Sequence, residues 1–489
     1  MEHSAGKIIK NTVLFTAALI LQKIVSFAYF LYLSSRLAPE LLGSYVWALS
    51  FTTLFSIGMD LGLSPILTRD VAKDDQNDEK YLRNMLGIKL PLIIITLIAC
   101  YTVLFVTKSD WQVRFLVIGA SAVMTFDALS LIFYSFLRAK QQLRYESAGI
   151  IGFQLITFLG GVILLTVTGN IVFVMLSLAL ASFVSFIYSA FVVKFKYKYS
   201  LRPAYDKNVY KYFLRLAPAF ALSGIFVRIY NVSDSVILGY VKDNAAVGLY
   251  SIPAKIVTAF QSLIPGALQA TIYPSMSNFF ATSKEKLRLL FEKSFNYLGL
   301  ISIPLALGLY MIAEQAIQKI WPSYMAAVPT FKIMSLALPF VFLAFPTGLM
   351  LRACDKHLAN TINRGIITAF SVILNLILIP SFGILGAGIT FFVVNFLLLI
   401  LDLVFIRKII NHNFMRTAWY FLRVMLAGAG MVLILKFALD KIFLYGAIGV
   451  AVLSFGIFVL VLGVVKKNEI IFFKENIFGS YGRKTNARN

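Results

Sequence analysis

Apolar runs of about 20 residues recur from one end of the chain to the other, and no other feature restricts its fold so severely. They lie near 12–33, 42–66, 85–106, 115–136, 148–168, 171–193, 213–239, 246–273, 293–313, 331–351, 360–380, 385–405, 419–437 and 443–465, about fourteen in all. A bilayer offers no water to an unpaired N–H or C=O, so a segment of this length spans it as an α-helix. The expected class is an all-α polytopic membrane protein. A chain that is 59% hydrophobic and 14% charged over 489 residues, with a mean hydropathy of +0.83, fits that class. The first run is too long for a signal-peptide core and carries Gln22 and Lys23, so it reads as an uncleaved helix.

The net charge of +23 sits in one set of loops. Segments 69–83, 138–144, 194–211, 284–293, 352–357 and 407–416 are all basic, whereas the alternate turns, such as 168–170 and 380–385, are short. By the positive-inside rule the basic loops and both termini are cytoplasmic, in the cytoplasmic membrane. That distribution argues for a membrane protein and against a nucleic-acid surface. The longest external segment, 314–329, carries Trp321 and Tyr324, which read as an interfacial aromatic anchor. Cys100 falls in an apolar span and Cys354 in a cytoplasmic loop, so a disulfide between them is not expected. His3, His357 and His412 all lie at the terminus or in loops. There is no phosphate-cradling glycine loop, no metal-ligand spacing and no long external loop for a transferase site. The chain is not expected to be an enzyme.

The sequence repeats itself. Leu42-Gly43-Ser44-Tyr45 opens the second span and Val247-Gly248-Leu249-Tyr250 the eighth; Leu137-Arg138-Ala139 closes the fourth and Leu351-Arg352-Ala353 the tenth. Offsets of 205 and 214 residues point to two homologous halves of six helices. Six is even, so the halves share one orientation and suit a central cavity opened by rocking. The expected layout is a six-helix bundle over 1–200, a second over 201–412, and two extra helices with a basic cytoplasmic tail over 413–489.

Ionisable residues inside the spans cost about 2.5–3.5 kcal/mol each at mid-bilayer depth and usually face a polar path. The stretch 215–277 holds three: Arg228, Asp234 and Lys255, on two spans joined by the short turn 241–246. Lys255, Ser262 and Gln269 recur at i, i+7 and i+14; Arg228, Asn231 and Ser235 form a second stripe with Asp234 beside it. The alternative is a structural ion pair between Arg228 and Asp234. Thr53, Ser56, Asp60 and Ser64 line the second span, and Arg364, Thr368, Ser371 and Asn375 the eleventh. Gln22, Lys23, Ser26, Lys89 and Asp127 complete the set. The Ser and Thr members fit helix packing as well as a cavity. Lys23, Lys89, Arg228, Lys255 and Arg364 outnumber Asp60, Asp127 and Asp234, so a shared cavity favours an anion, and Arg suits phosphate. Gln22, Asn231, Ser262, Gln269 and Asn375 would line it. Lys89 and Arg364 also fit snorkelling to the interface. The three Asp serve either H⁺ or Na⁺ coupling or charge compensation; no cofactor beyond such a gradient is expected.

Asp234 to Gly239 (DSVILG), Val247 to Ile256 (VGLYSIPAKI), Ile272 to Ser277 (IYPSMS) and Leu374 to Gly388 (LNLILIPSFGILGAG) resemble the Wzx-type polysaccharide flippases of the multidrug/oligosaccharidyl-lipid/polysaccharide (MOP) exporter superfamily. The resemblance covers nearly the whole chain in length, span number and two-half layout. It implies a V-shaped pair of six-helix bundles working by alternating access. The implied cargo is a polyprenyl-diphosphate-linked oligosaccharide, carried from the inner to the outer leaflet, with membrane lipids and glycan polymerase or assembly proteins as further partners. Lys23, Arg228 and Lys255 would then hold the head group. The drug-exporting branch generally binds cations with a carboxylate in the first helix, where this chain has Lys23 and no acid. A lipid-linked peptidoglycan precursor flippase is the nearer competitor, followed by a cation-coupled multidrug exporter. A non-transporting scaffold of a glycan-assembly complex would have no need of the intramembrane charges.

Overall fold

A computed structural model describes residues 2–464 apart from 75, 109, 412–413 and 440–442; His412 and the basic tail expected after the last span lie outside the described residues. In chain order the helices are α1 (Glu2–Arg36), α2 (Pro39–Asp60), α3 (Leu63–Lys73), α4 (Asp78–Thr107), α5 (Trp111–Ala139), α6 (Leu143–Thr168), α7 (Ile171–Tyr197), α8 (Lys207–Val241) and α9 (Asn244–Leu263). They continue as α10 (Pro265–Thr282), α11 (Lys284–Ile320), a 3-10 turn (Pro322–Ala327), α12 (Val328–Leu336), α13 (Leu338–Ala353), α14 (His357–Phe382), α15 (Ile384–Ile406), α16 (Phe414–Ala438) and α17 (Leu444–Val461). Every regular element among the described residues is helical. Short polar residues start them: Asp110, Asn170, Asp206, Asp243 and Ser283 each accept a backbone N–H from the first turn of the helix they precede.

Thirteen of the helical segments among the described residues are long and apolar enough to cross a membrane. The expected eighth span is the one that differs. Around Ile264 it divides into α9 and α10, where Pro265 and Gly266 follow a face carrying Lys255, Gln261 and Ser262. Proline removes a donor and crowds the preceding turn, so the helix stops and restarts. The second span divides likewise, because Leu61 and Gly62 take left-handed conformations between α2 and α3.

These two breaks are equivalent positions of the repeat. α2 and α9 begin at Pro39 and Asn244, 205 residues apart. α6 and α14 have 26 residues each and begin at Leu143 and His357, 214 residues apart. The glycines of the repeated motif pack on one another's helix: a Cβ at Gly43 would run into Asn244 O, and one at Gly248 into Pro39 O. Exchanging the two motifs maps this contact onto itself.

Two compact units result. The first comprises Met1–Ala267 and His357–Val394, the second Leu268–Lys356 and Asn395–Asn489. In the first, α3, α4, α5 and the start of α8 enclose a core of Leu67, Met85, Phe133, Phe136 and Phe213. In the second, Phe291, Phe295, Met350 and Ile406 form one core, and α16 and α17 close on α11 around Val424, Val459, Met431 and Leu435. Trp321 and Tyr324, expected as an interfacial anchor, are instead buried in this unit. Cys100 and Cys354 are free and buried.

Candidate functional site

The charged groups of the first unit gather at the break that ends α2. Gly62 is needed there twice over, since its φ is 76° and a Cβ would come within 2.5 Å of Ala221 N on α8. The break leaves the Asp60 carboxylate at a helix end. Lys89 of α4 meets it at 2.5 Å, and its ammonium also donates to Ser64 Oγ at 2.9 Å and Ala128 O at 3.3 Å. Ser64 in turn donates to Asp60. Lys89 is 0% exposed, so it does not snorkel; it joins α2, α3, α4 and α5 through one buried ion pair.

Arg228 reaches the same place from α8. Its Nη1 donates to Ser56 Oγ at 2.5 Å, one turn before Asp60, and Arg228 and Asp60 both line a cleft of about 110 Å³ with Gly62, Pro65, Phe220 and Gly224. The alternative of an Arg228–Asp234 pair is not what forms. Asp234 accepts instead from Tyr250 Oη of α9 and from the Ser235 N–H at 2.7 Å.

Lys23 and Lys255 lie on helices that pack together, α1 and α9. Lys255 stands 5.4 Å over the ring of Phe30 on α1, the helix that also carries the exposed Lys23. Neither has an ion-pair partner among the described residues. Lys255 and Ser262 share the open face of α9; its other face is buried by Val247, Tyr250, Ile252 and Ile256. Gln269 follows the break, on α10, so the stripe does not continue along one helix. Gln22 is half-buried and Asn231 exposed. Arg364 is half-buried on α14, which meets α8 through Thr368 Oγ1 donating to Phe226 O at 3.1 Å. Asn375 is buried on α14, and its Oδ1 has no hydrogen-bond partner. Asp127 is exposed on α5 and accepts from Ser182 Oγ of α7 at 2.8 Å.

A second cleft, of about 450 Å³, opens between α3 and α5 and shares Asp60 with the first. Its lining includes Arg69, Ser135 and Arg138, none of which polar periodicity within the spans singles out. Arg138 was visible only as part of a repeated triplet. Glu146, which holds it, lies in the first turn of α6 beyond the apolar run. Asp402 is a buried carboxylate of the second unit accepting from Thr347 Oγ1 at 2.9 Å, and its span is otherwise so apolar that sequence reasoning passed over it.

Residues 8–280 match the model of the family described as polysaccharide biosynthesis protein. An uncharacterized membrane protein of Methanocaldococcus jannaschii is 25% identical over 388 residues, 75% of each chain. The probable flippase AglR of Haloferax volcanii is 28% identical over 165 residues, 33% of this chain and 34% of its own length. Among solved structures, the lipid II flippase MurJ in an inward closed conformation superimposes with a TM-score of 0.76 at 15% identity, covering 95% of this chain and 100% of that one. An inward-facing multidrug resistance MATE family transporter of the MOP superfamily gives 0.64 at 14% identity, with 79% and 94% covered. At those identities the likeness is one of fold: the helices follow the MOP arrangement.

Proposed function

Because the chain belongs to the polysaccharide biosynthesis protein family, we propose that it is a flippase for a polyprenyl-diphosphate-linked oligosaccharide, moving it from the cytoplasmic to the outer leaflet of the cell membrane. The observation that carries this reading is the Lys23–Lys255 neighbourhood. Lys255 has no carboxylate partner among the described residues and sits on the helix packed against the one that carries Lys23. Intramembrane cations left in this way usually face a polar path, where an anion would complete them. A diphosphate has the charge and the acceptor oxygens to do so, while the polyprenyl tail stays in lipid. Arg228, which among the described residues bonds to Ser56 and shares a cleft with Asp60, offers a further donor group. Lys89 does not contribute, because Asp60 neutralises it. In this reading the basic α7–α8 connection faces the cytoplasm, as the positive-inside rule expects, and transport is coupled to an H⁺ or Na⁺ gradient. The family relationship and the AglR and MurJ likenesses support the transporter class over an enzyme or a scaffold.

The test is translocation of a labelled polyprenyl-diphosphate oligosaccharide in proteoliposomes, scored by access of an external reagent to the sugar. Removing one charge-assisted contact costs about 1.5–3 kcal/mol, so Lys23→Ala or Lys255→Ala should slow transport about ten- to a hundredfold while insertion is unchanged. Wild-type rates in both variants would remove the cationic site. Efflux of a cationic dye, with no movement of the glycan lipid, would replace the flippase by a drug exporter.

A further inference from the structure

The α3–α5 cleft is lined by Asp60, Ser64, Pro65, Thr68, Arg69, Leu131, Ser135 and Arg138. Its charges are already balanced. Asp60 holds Lys89; Arg69 Nε donates to Asp70 at 2.6 Å, with its Nη2 on Tyr212 Oη at 2.9 Å; Arg138 forks onto both oxygens of Glu146, Nε to Oε2 at 2.8 Å. Each guanidinium has five N–H groups and spends two on these partners, so the rest remain available in a fixed orientation. Between them stand the hydroxyls of Ser64, Thr68 and Ser135. Ser135 is 1% exposed, and its Oγ has no hydrogen-bond partner among the described residues although the residue lines the cleft. A buried hydroxyl left unpaired costs about 1–3 kcal/mol, which a ligand oxygen would recover.

This chemistry selects against a phosphate. An anion gains little where every cation has its own carboxylate, and it meets Asp60 as a like charge. It suits a neutral polyol: guanidinium donors, a carboxylate acceptor and the Ser135 hydroxyl, which can do either, with Pro65 and Leu131 supplying apolar contact. The volume lies within the range of about 300–1,000 Å³ typical of small-molecule sites, and two sugar rings fit such a space. We propose that the α3–α5 cleft is a sugar-binding subsite, taking neutral hexose or N-acetylhexosamine units, separate from the unpaired lysines that hold the diphosphate. The assignment of the ligand as a glycan rests on the flippase reading; the cleft's preference for a neutral polyol over an anion rests on its own geometry.

The experiment places a thiol in the cleft. Ser135→Cys and, independently, Thr68→Cys are made in the full chain, whose resident cysteines are both buried. Maleimide labelling in detergent is timed with cellobiose, lactose or chitobiose, or with sodium pyrophosphate. A bound disaccharide should slow labelling at either position, about fourfold at three times its dissociation constant, while pyrophosphate leaves the rate unchanged. Protection by pyrophosphate alone overturns the proposal in favour of an anion site. Brisk labelling that no probe alters overturns it in favour of a water-filled passage to Asp60, and failure of both folded variants to label shows the cleft closed to ligands. Because protection needs no transport, failure of the flippase reading would show in proteoliposomes with disaccharide protection intact.

Discussion

Asp60 and Lys89 show how a charge deep in an apolar chain is tolerated. A buried pair is stabilising only relative to its broken halves, because each lone charge would keep its desolvation cost without its partner. Lys89→Ala or Asp60→Ala should therefore destabilise the protein by about 3–5 kcal/mol, whereas the paired replacement Asp60→Asn with Lys89→Met should cost far less. Thermal melts of the detergent-solubilised variants check this, and a double variant as unstable as the sum of the singles would remove the coupling. The contrast with Lys255 is instructive. Both lysines were legible as cations within apolar runs, but one meets a carboxylate and the other stands over the Phe30 ring with no ion-pair partner among the described residues. Nothing within α4 or α9 says which, since the deciding neighbours come from other helices.

Among the elements, the α2–α9 crossing depends on two glycines. Alanine at Gly43 or Gly248 would collide with backbone of the opposite helix, which has no rotamer to move aside. Overpacking of this kind typically costs about 1–3 kcal/mol. Gly152 on α6 has open space where a Cβ would stand, with nothing within 4 Å, so Gly152→Ala should instead be neutral or gain up to about 1 kcal/mol of helix propensity. Melting of the three alanine variants separates the crossing from ordinary helix propensity. Asp206 provides an element-level pH effect at the start of α8. Lys80 beside it, then the N–H groups of Val209 and Asn208, hold its carboxyl below the usual carboxylate range. Its folded-state value being depressed, the cap is fully present above the unfolded value of about 3.9 and is lost as pH falls through the lower, folded one. Amide exchange across 207–211 should accelerate in that acid window and not above it. The repeated motifs marked the two halves but not that their glycines meet, and the breaks around Leu61–Gly62 and Ile264 lay inside apolar runs that hydropathy reads as continuous.

For the whole molecule, the testable quantity is its orientation in the membrane. Single cysteines at Lys198 and at Gly169, in alternate connections, should be reached by a membrane-impermeant maleimide from opposite sides, Gly169 from outside intact cells. Labelling of both from outside would invert or discard the topology read from the basic loops. The division into two compact units cuts α15 after Val394 and sets α14 with α1–α9. Packing thus groups helices from both halves of the repeat, as the α2–α9 and α8–α14 contacts require.

The helical class, the apolar spans other than the divided eighth, the repeated motifs and the surplus of cations within those spans were legible in the sequence alone. Length, hydropathy and motif spacing are local properties, and a bilayer converts them directly into helices. The partners of the charges were decided by the tertiary structure. Lys89 became half of an ion pair with Asp60, Arg228 was held by Ser56 instead of Asp234, and Lys255 was left over the Phe30 ring. The cleft around Ser135 and Arg138 likewise exists only where α3 meets α5. Electrostatic partnership falls off within a few ångströms, and no periodicity along a single helix records which other helix will stand within that distance.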